Sequence, residues 1–216
     1  MDDLLTEKEQ LEQIKQWWRE NGWFLIGGIA IAVIGYYGYY QYQAYRDGNA
    51  EQAAELYIQL QQLIEDDREG GDALLAQLRA EHPDSPYTHH ASMLMASEWL
   101  VMDSARAASE LRTVMETSDD PALAFVARLR LARVLAYREE YAEALRVLDV
   151  EAPGVFAARL NEIKGDVHAA TGEVDAARAA YTQALTAPGA EGIDRNFVQM
   201  KLGGLQPSSA GSEDDA

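Results

Sequence analysis

Residues 23–40 read WFLIGGIAIAVIGYYGYY, and every position is apolar, glycine or aromatic. At 1.5 Å rise per residue, about 20 such residues cross a hydrocarbon core of roughly 30 Å. Trp17, Trp18 and Trp23 stand at one end, and Tyr36, Tyr37, Tyr39, Tyr40 and Tyr42 at the other. Amphipathic rings favour headgroup depth. The pattern predicts a transmembrane helix over residues 23–42 rather than a core helix, because no face of it is charged. A cleaved signal peptide fits poorly, since a 22-residue, partly acidic segment comes first and no A-x-A-like site follows. Within the span, Gly28, Ala32 and Gly35 share a face as a small-xxx-small stripe, which makes them candidates for helix pairing. Ahead of it, Leu11, Ile14 and Trp18 align with Leu4 on one face of residues 4–20. Such a segment lies on the membrane surface, packs on a partner helix, or runs into the span as a solvated helix. Lys8, Lys15 and Arg19 precede the span, and the first basic residues after it are Arg46 and Arg68. That bias predicts a cytoplasmic segment over 1–22 and a periplasmic domain over 43–203.

From residue 44 on, helical periodicity dominates and no strand alternation appears. Breaks are expected at Gly70-Gly71, Pro83-Asp84-Ser85-Pro86, Ser118-Asp119-Asp120-Pro121, Pro153-Gly154 and Pro188-Gly189. Asp72 is the expected cap of a helix over 73–81, and Asp120 with Pro121 begins another. Roughly eight helices result, mostly 10–18 residues long.

These helices repeat. Residues 125–149 and 158–185 superimpose with a period of 33 when Tyr141-x-x-Ala144 is laid on Val174-x-x-Ala177. Leu131, Ala132 and Leu135 then match Lys164, Gly165 and His168, and Leu148 matches Tyr181. A looser copy spans 91–116, with Ala107 and Leu111 in register at an offset of 37, and a fourth unit is expected over 50–81. The arrangement resembles the tetratricopeptide repeat, in which small residues let paired helices approach and larger ones fill the gaps. The fold class expected is all-α, an N-terminal transmembrane helix followed by a tetratricopeptide-repeat-like α-solenoid. Residues 204–216 are polar and acidic, and a disordered tail is expected there.

Composition narrows the chemistry. The chain has 18 basic and 36 acidic residues, a net charge of −18, which argues against nucleic acid as a partner. No cysteine is present, so disulfides, thiolate metal sites and thiol catalysis are excluded. His89 and His90 are adjacent, diverging by about 100° on a helix, a poor metal pair. His82 falls beside Pro83 in a turn, and His168 holds a repeat position that normally packs. Carboxylate runs such as Glu65-Asp66-Asp67 read as solvated charge, and no hydrolase, zinc-protease, P-loop or dinucleotide motif occurs. The chain is expected not to be an enzyme and to need no cofactor or metal. Tyr87, Tyr137, Tyr141, His168 and Tyr181 are the candidates for a protein-binding surface, tyrosine offering apolar area with a polar tip. Inter-repeat core is the competing role for each.

A family resemblance gathers these features. The stretch EQIKQWWRENG, Glu12 through Gly22, leads straight into the span. A tyrosine-rich exit follows, then HPDSPY at His82–Tyr87, then degenerate repeats. From about residue 5 to 203 this resembles the YfgM-like family of ancillary SecYEG translocon subunits of Gram-negative bacteria. The resemblance implies a single-pass inner-membrane protein in membrane lipid, with a periplasmic repeat domain. The implied partners are the SecYEG translocon, a PpiD-like membrane-anchored periplasmic chaperone and exported client proteins handed on to chaperones. It also implies contact between the cytoplasmic segment and a response regulator. The alternative is a membrane-tethered repeat scaffold in envelope assembly or stress-response regulation.

Overall fold

The computed structural model describes residues 7–64, 66–151 and 154–205. Leu4, Glu65, Pro153 and the acidic tail from residue 206 lie outside the described residues. The chain divides into two compact units, Met1–Gln52 and Ala53–Ala216.

Helix α1 (Glu7–Leu63) is continuous through the amphipathic segment, the apolar run and the stretch beyond it. No proline interrupts it, and its glycines each cost only about 1 kcal/mol relative to alanine. It contains the one stretch among the described residues long and apolar enough to cross a membrane. The apolar side chains of that stretch stand outward, with Trp23 80% and Ile31 74% exposed, as a lipid-facing helix requires.

The second unit contains the end of α1 and eight further α-helices among the described residues: α2 (Arg68–Glu81), α3 (Pro86–Trp99), α4 (Ser104–Thr117), α5 (Pro121–Tyr137), α6 (Tyr141–Leu148), α7 (Ala157–Ala170), α8 (Val174–Thr186) and α9 (Arg195–Gly204). The pairs α3–α4, α5–α6 and α7–α8 are the repeats, and α9 packs against α8. Helices α6 and α8 both begin where the 33-residue period places them, at Tyr141 and Val174. The turns ahead of them also correspond: Glu139 (φ 63°) and Gly172 (φ 77°) are equivalent positions and both left-handed.

Small-against-large packing joins each pair. Ala132 and Leu148 are both fully buried in one core. In the next repeat, the ring of Tyr181 lies so close over Gly165 that a Cβ there would sit 2.5 Å from it. A second core lies at the N-terminal end, where Ala53, Leu60 and Ile64 meet Leu75, Leu78 and Met95. Each fully buried leucine contributes about 2 kcal/mol.

The break expected at Gly70-Gly71 falls earlier, between α1 and α2. Asp67 is the cap, its carboxylate accepting from the Gly70 amide at 2.9 Å, and both glycines lie inside α2. They serve close approach rather than a turn. A Cβ on Gly70 would overlap Asp67 and Leu63, and one on Gly71 would press on the Met95 sulfur. Asp72 is therefore not a cap. It accepts from Trp99 Nε1 at 3.3 Å and pairs with Arg106 at 2.5 Å, while Arg106 also stands over the Trp99 ring. One carboxylate thus ties α2 to both α3 and α4. Asp120 does cap α5, accepting from the amides of Ala122 (2.8 Å) and Leu123 (3.3 Å) behind Pro121.

Candidate functional site: a groove along the first helices of the repeats

Three cavities run along one face of the repeat unit, lined largely by α3 and α5, with the segments just before α7 and α9 closing the third. The first, about 330 Å³, lies between α3 and α5, with Leu100, Leu111 and Val134 below and Tyr137 at its edge. The second, about 440 Å³, extends toward the end of α1 past Tyr57 and Leu94. The third, about 480 Å³, lies between α5 and the start of α7, beside Phe156 and Arg159. Arg130 lines all three, and Arg133 lines the first and third.

These arginines come from α5 itself. Its 17 residues include Arg128, Arg130 and Arg133 and no acid. Arg128 turns to the second helix of its repeat, donating to the Val147 carbonyl at 2.8 Å. Arg130 and Arg133 are exposed in the groove. Arg133 reaches Glu162 only at 4.0 Å. Glu162 is buried and already held by Arg159 at 2.7 Å and Lys201 at 3.3 Å. Among the described residues, no carboxylate pairs with Arg130. No aspartate or glutamate lines any of the three cavities.

Of the five sequence candidates, Tyr137 alone lines these cavities, and it is 65% exposed. Tyr87 is half-buried with its ring 5.9 Å from that of Tyr57. The Pro83–Pro86 corner thus seats α3 on the end of α1, with Ser85 capping α3. Tyr141 opens α6 and packs on the main core. His168 is half-buried, with Nδ1 2.5 Å from a Glu173 carboxylate oxygen across the α7–α8 turn. Tyr181 is core rather than surface, 2% exposed. Its hydroxyl donates to Asp166 at 2.8 Å, and burial together with that bond pushes its phenol above the ordinary range. The structure does not gather the five into one site. The reason is physical: tyrosine's size suits inter-repeat gaps as well as surfaces.

Arg130 and Arg133 were not among the candidates, since the chain's acidity masks them. The run of three arginines without an acid in α5 is the signal that finds them.

The histidines do not cluster. His82 is buried at the end of α2, His89 faces Thr117 Oγ1 at 3.3 Å, and His90 is exposed near Tyr57. Burial is the main cause holding His89 below the usual histidine range, against the pull of Asp119 and Asp84, with His90 adding to the lowering. Among the described residues no group of three histidine, aspartate or glutamate side chains is placed to hold a metal. In the first unit, Gly28, Ala32 and Gly35 lie on one face of α1, and a Cβ at Gly28 or Gly35 would meet nothing within 4 Å.

The family described as a tetratricopeptide repeat-like domain matches residues 15–207. The chain is 29% identical over 207 residues to an ancillary SecYEG translocon subunit of Neisseria gonorrhoeae, covering 94% of this chain and 98% of that protein. It is 26% identical to the same-named protein of Haemophilus influenzae, covering 93% and 98%. It is 24% identical to that of Escherichia coli, covering 95% and 99%. No solved structure matches the chain.

Proposed function

The chain belongs to the tetratricopeptide repeat-like domain family, and on that footing we propose that it is a non-enzymatic ancillary subunit of a SecYEG translocon. Helix α1 spans the inner membrane once, with its N-terminus cytoplasmic, and the repeats bind polypeptide in the periplasm. The observation that carries this reading is similarity to ancillary SecYEG translocon subunits over at least 93% of the chain. That similarity covers the apolar part of α1 and the repeats together, which generic repeat likeness would not. The groove supports the binding role, since paired helices present such surfaces to peptides and proteins.

The finer reading is that the repeats receive newly exported chains and pass them to a PpiD-like membrane-anchored chaperone. A membrane anchor raises the local concentration of a binding domain beside a channel exit, so modest affinity suffices there. The face with Gly28, Ala32 and Gly35 is the proposed contact for a neighbouring transmembrane helix, and the segment over 1–22 is the proposed contact for a response regulator. The test combines purification from mild detergent with photocrosslinking from positions 28, 32 and 35, alongside protease protection of spheroplasts. Translocon and chaperone products are expected, with the repeats digested only from outside. Absence of any translocon product, or digestion only after lysis, would overturn it.

A further inference from the structure

The groove carries a charge opposite to that of the chain as a whole. Acids outnumber bases two to one, and among the described residues of the repeats every arginine other than Arg130 meets a carboxylate or, as Arg128, Arg178 and Arg195 do, donates to a backbone carbonyl. Arg79 pairs with Glu110, Arg106 with Asp72, Arg112 and Arg146 with Glu143, and Arg138 with Glu140. Arg130 is different. It stands at the meeting point of three cavities with no carboxylate beside it among the described residues, although carboxylates are abundant. Its neighbour Arg133 shares one distant carboxylate with Arg159 and Lys201. Positions three apart on a helix place their side chains about 5–6 Å from each other. Two guanidinium groups at that spacing can hold one carboxylate between them, with charge-assisted hydrogen bonds from both. Below and beside the pair lies the apolar α3–α5 cavity, with room for a large side chain.

We infer that the groove takes an acidic, extended segment of a partner polypeptide. A carboxylate of that segment binds between Arg130 and Arg133, and an adjacent apolar or aromatic side chain seats in the α3–α5 cavity beside Tyr137. The inference rests on the reading that the repeats bind polypeptide, and it specifies the chemistry of what they bind. The chain's own net charge opposes it: a field summed over the whole molecule favours basic peptides. The two predictions therefore have opposite signs.

The test uses the full-length chain in a neutral detergent and three labelled peptides of about ten residues, long enough at ~3.3 Å each to run along the groove. They share a leucine and a tyrosine and differ only in carrying two glutamates, two glutamines or two lysines beside them. Fluorescence anisotropy is expected to show the glutamate peptide binding at least about fivefold tighter than the glutamine peptide, an advantage that shrinks as salt rises. R130Q/R133Q should abolish that advantage while leaving affinity for the glutamine peptide and the thermal melt nearly unchanged, because both arginines are exposed. Y137A should weaken all three peptides. Equal binding of the glutamate and glutamine peptides, tightest binding of the lysine peptide, or persistence of the glutamate advantage in R130Q/R133Q would each overturn the inference while leaving polypeptide binding intact. Failure of all three peptides to bind would overturn both.

Discussion

Replacing Gly165 with alanine tests how the last repeat pair is held together. The added Cβ would sit 2.5 Å from Cδ1 and Cε1 of Tyr181 and 3.0 Å from its Cγ. Ordinary carbon contact is ~3.5 Å, so the ring or the helix must yield by about 1 Å. The ring is not free to swing. Its hydroxyl donates to Asp166 at 2.8 Å, and Lys201 on α9 donates to the same oxygen at 2.7 Å. Overpacking costs about 1–3 kcal/mol, while alanine's advantage over glycine inside a helix returns about 1 kcal/mol. The expected loss for G165A is therefore about 1 kcal/mol, which lowers Tm by roughly 2–4 °C in a domain of this size. Y181L supplies the partner used in the preceding repeat, where Leu148 shares a core with Ala132. Alone, it leaves a gap over Gly165 and removes a hydrogen bond, a loss of about 2–3 kcal/mol. Together, G165A and Y181L rebuild the small–large pairing of that repeat. The double variant should be more stable than the sum of the single losses by at least about 1 kcal/mol. Urea unfolding of the full chain in detergent, followed by far-UV circular dichroism, measures all four proteins. Additivity within about 0.3 kcal/mol, or a G165A chain more stable than the parent, would refute the contact.

Three further outcomes follow from individual residues. Glu139 adopts the left-handed conformation that Gly172 adopts one repeat later, so E139G should stabilise the chain by about 0.5–1 kcal/mol, against the usual cost of a new glycine; a lower Tm would show that the strain is absent. D120A removes the acceptor for two α5 amides and should cost about 1 kcal/mol in urea unfolding; an unchanged midpoint would discount the cap. His89 is depressed chiefly by burial, so the folded chain takes up its proton less readily than the unfolded chain. Its contribution is intact above about pH 6.5 and declines on acidification until the folded value is passed. H89N should flatten the fall in Tm between about pH 7.5 and about pH 5, and an unaltered slope would show that His89 does not carry it.

What could be read from the sequence was whatever depended on spacing. The 33-residue period placed α6 and α8 because small and large residues must alternate between packed helices at fixed intervals. Asp120 with Pro121 was legible because a cap and a first-turn proline act locally. The glycines at 70 and 71 misled because glycine serves two ends, positive φ and close approach, and only the tertiary contacts with Asp67, Leu63 and Met95 distinguish them. Asp72 misled for the same reason: with both glycines inside α2, the helix starts at Arg68 behind its cap Asp67, and Asp72 is an interior residue that reaches Trp99 and Arg106 instead. Tyr181 and Tyr137 belong to one residue class and have opposite fates, core and groove edge, because the neighbouring residue differs. A glycine at 165 makes room for a ring, while Tyr137 ends α5 with no such partner.

The groove shows why net charge is a blunt guide to partners. A polyanion meets the summed field of the surface, and with an excess of 18 acids that field repels phosphate backbones. A carboxylate inside the groove meets only what lies within a Debye length, about 8 Å at physiological salt. There the neighbours are Arg130 and Arg133, no acid lines the cavities, and the one carboxylate that Arg133 meets, Glu162 at 4.0 Å, is already offset by Arg159 and Lys201. The same chain thus rejects long anions and retains a local cation pair for a short one. An exposed pair of this kind is worth only about 1 kcal/mol, so it selects rather than grips. On the reading proposed above, that suits a domain tethered beside a channel. The tether supplies effective concentration, and weak charge-selective contacts let a passing chain engage and leave.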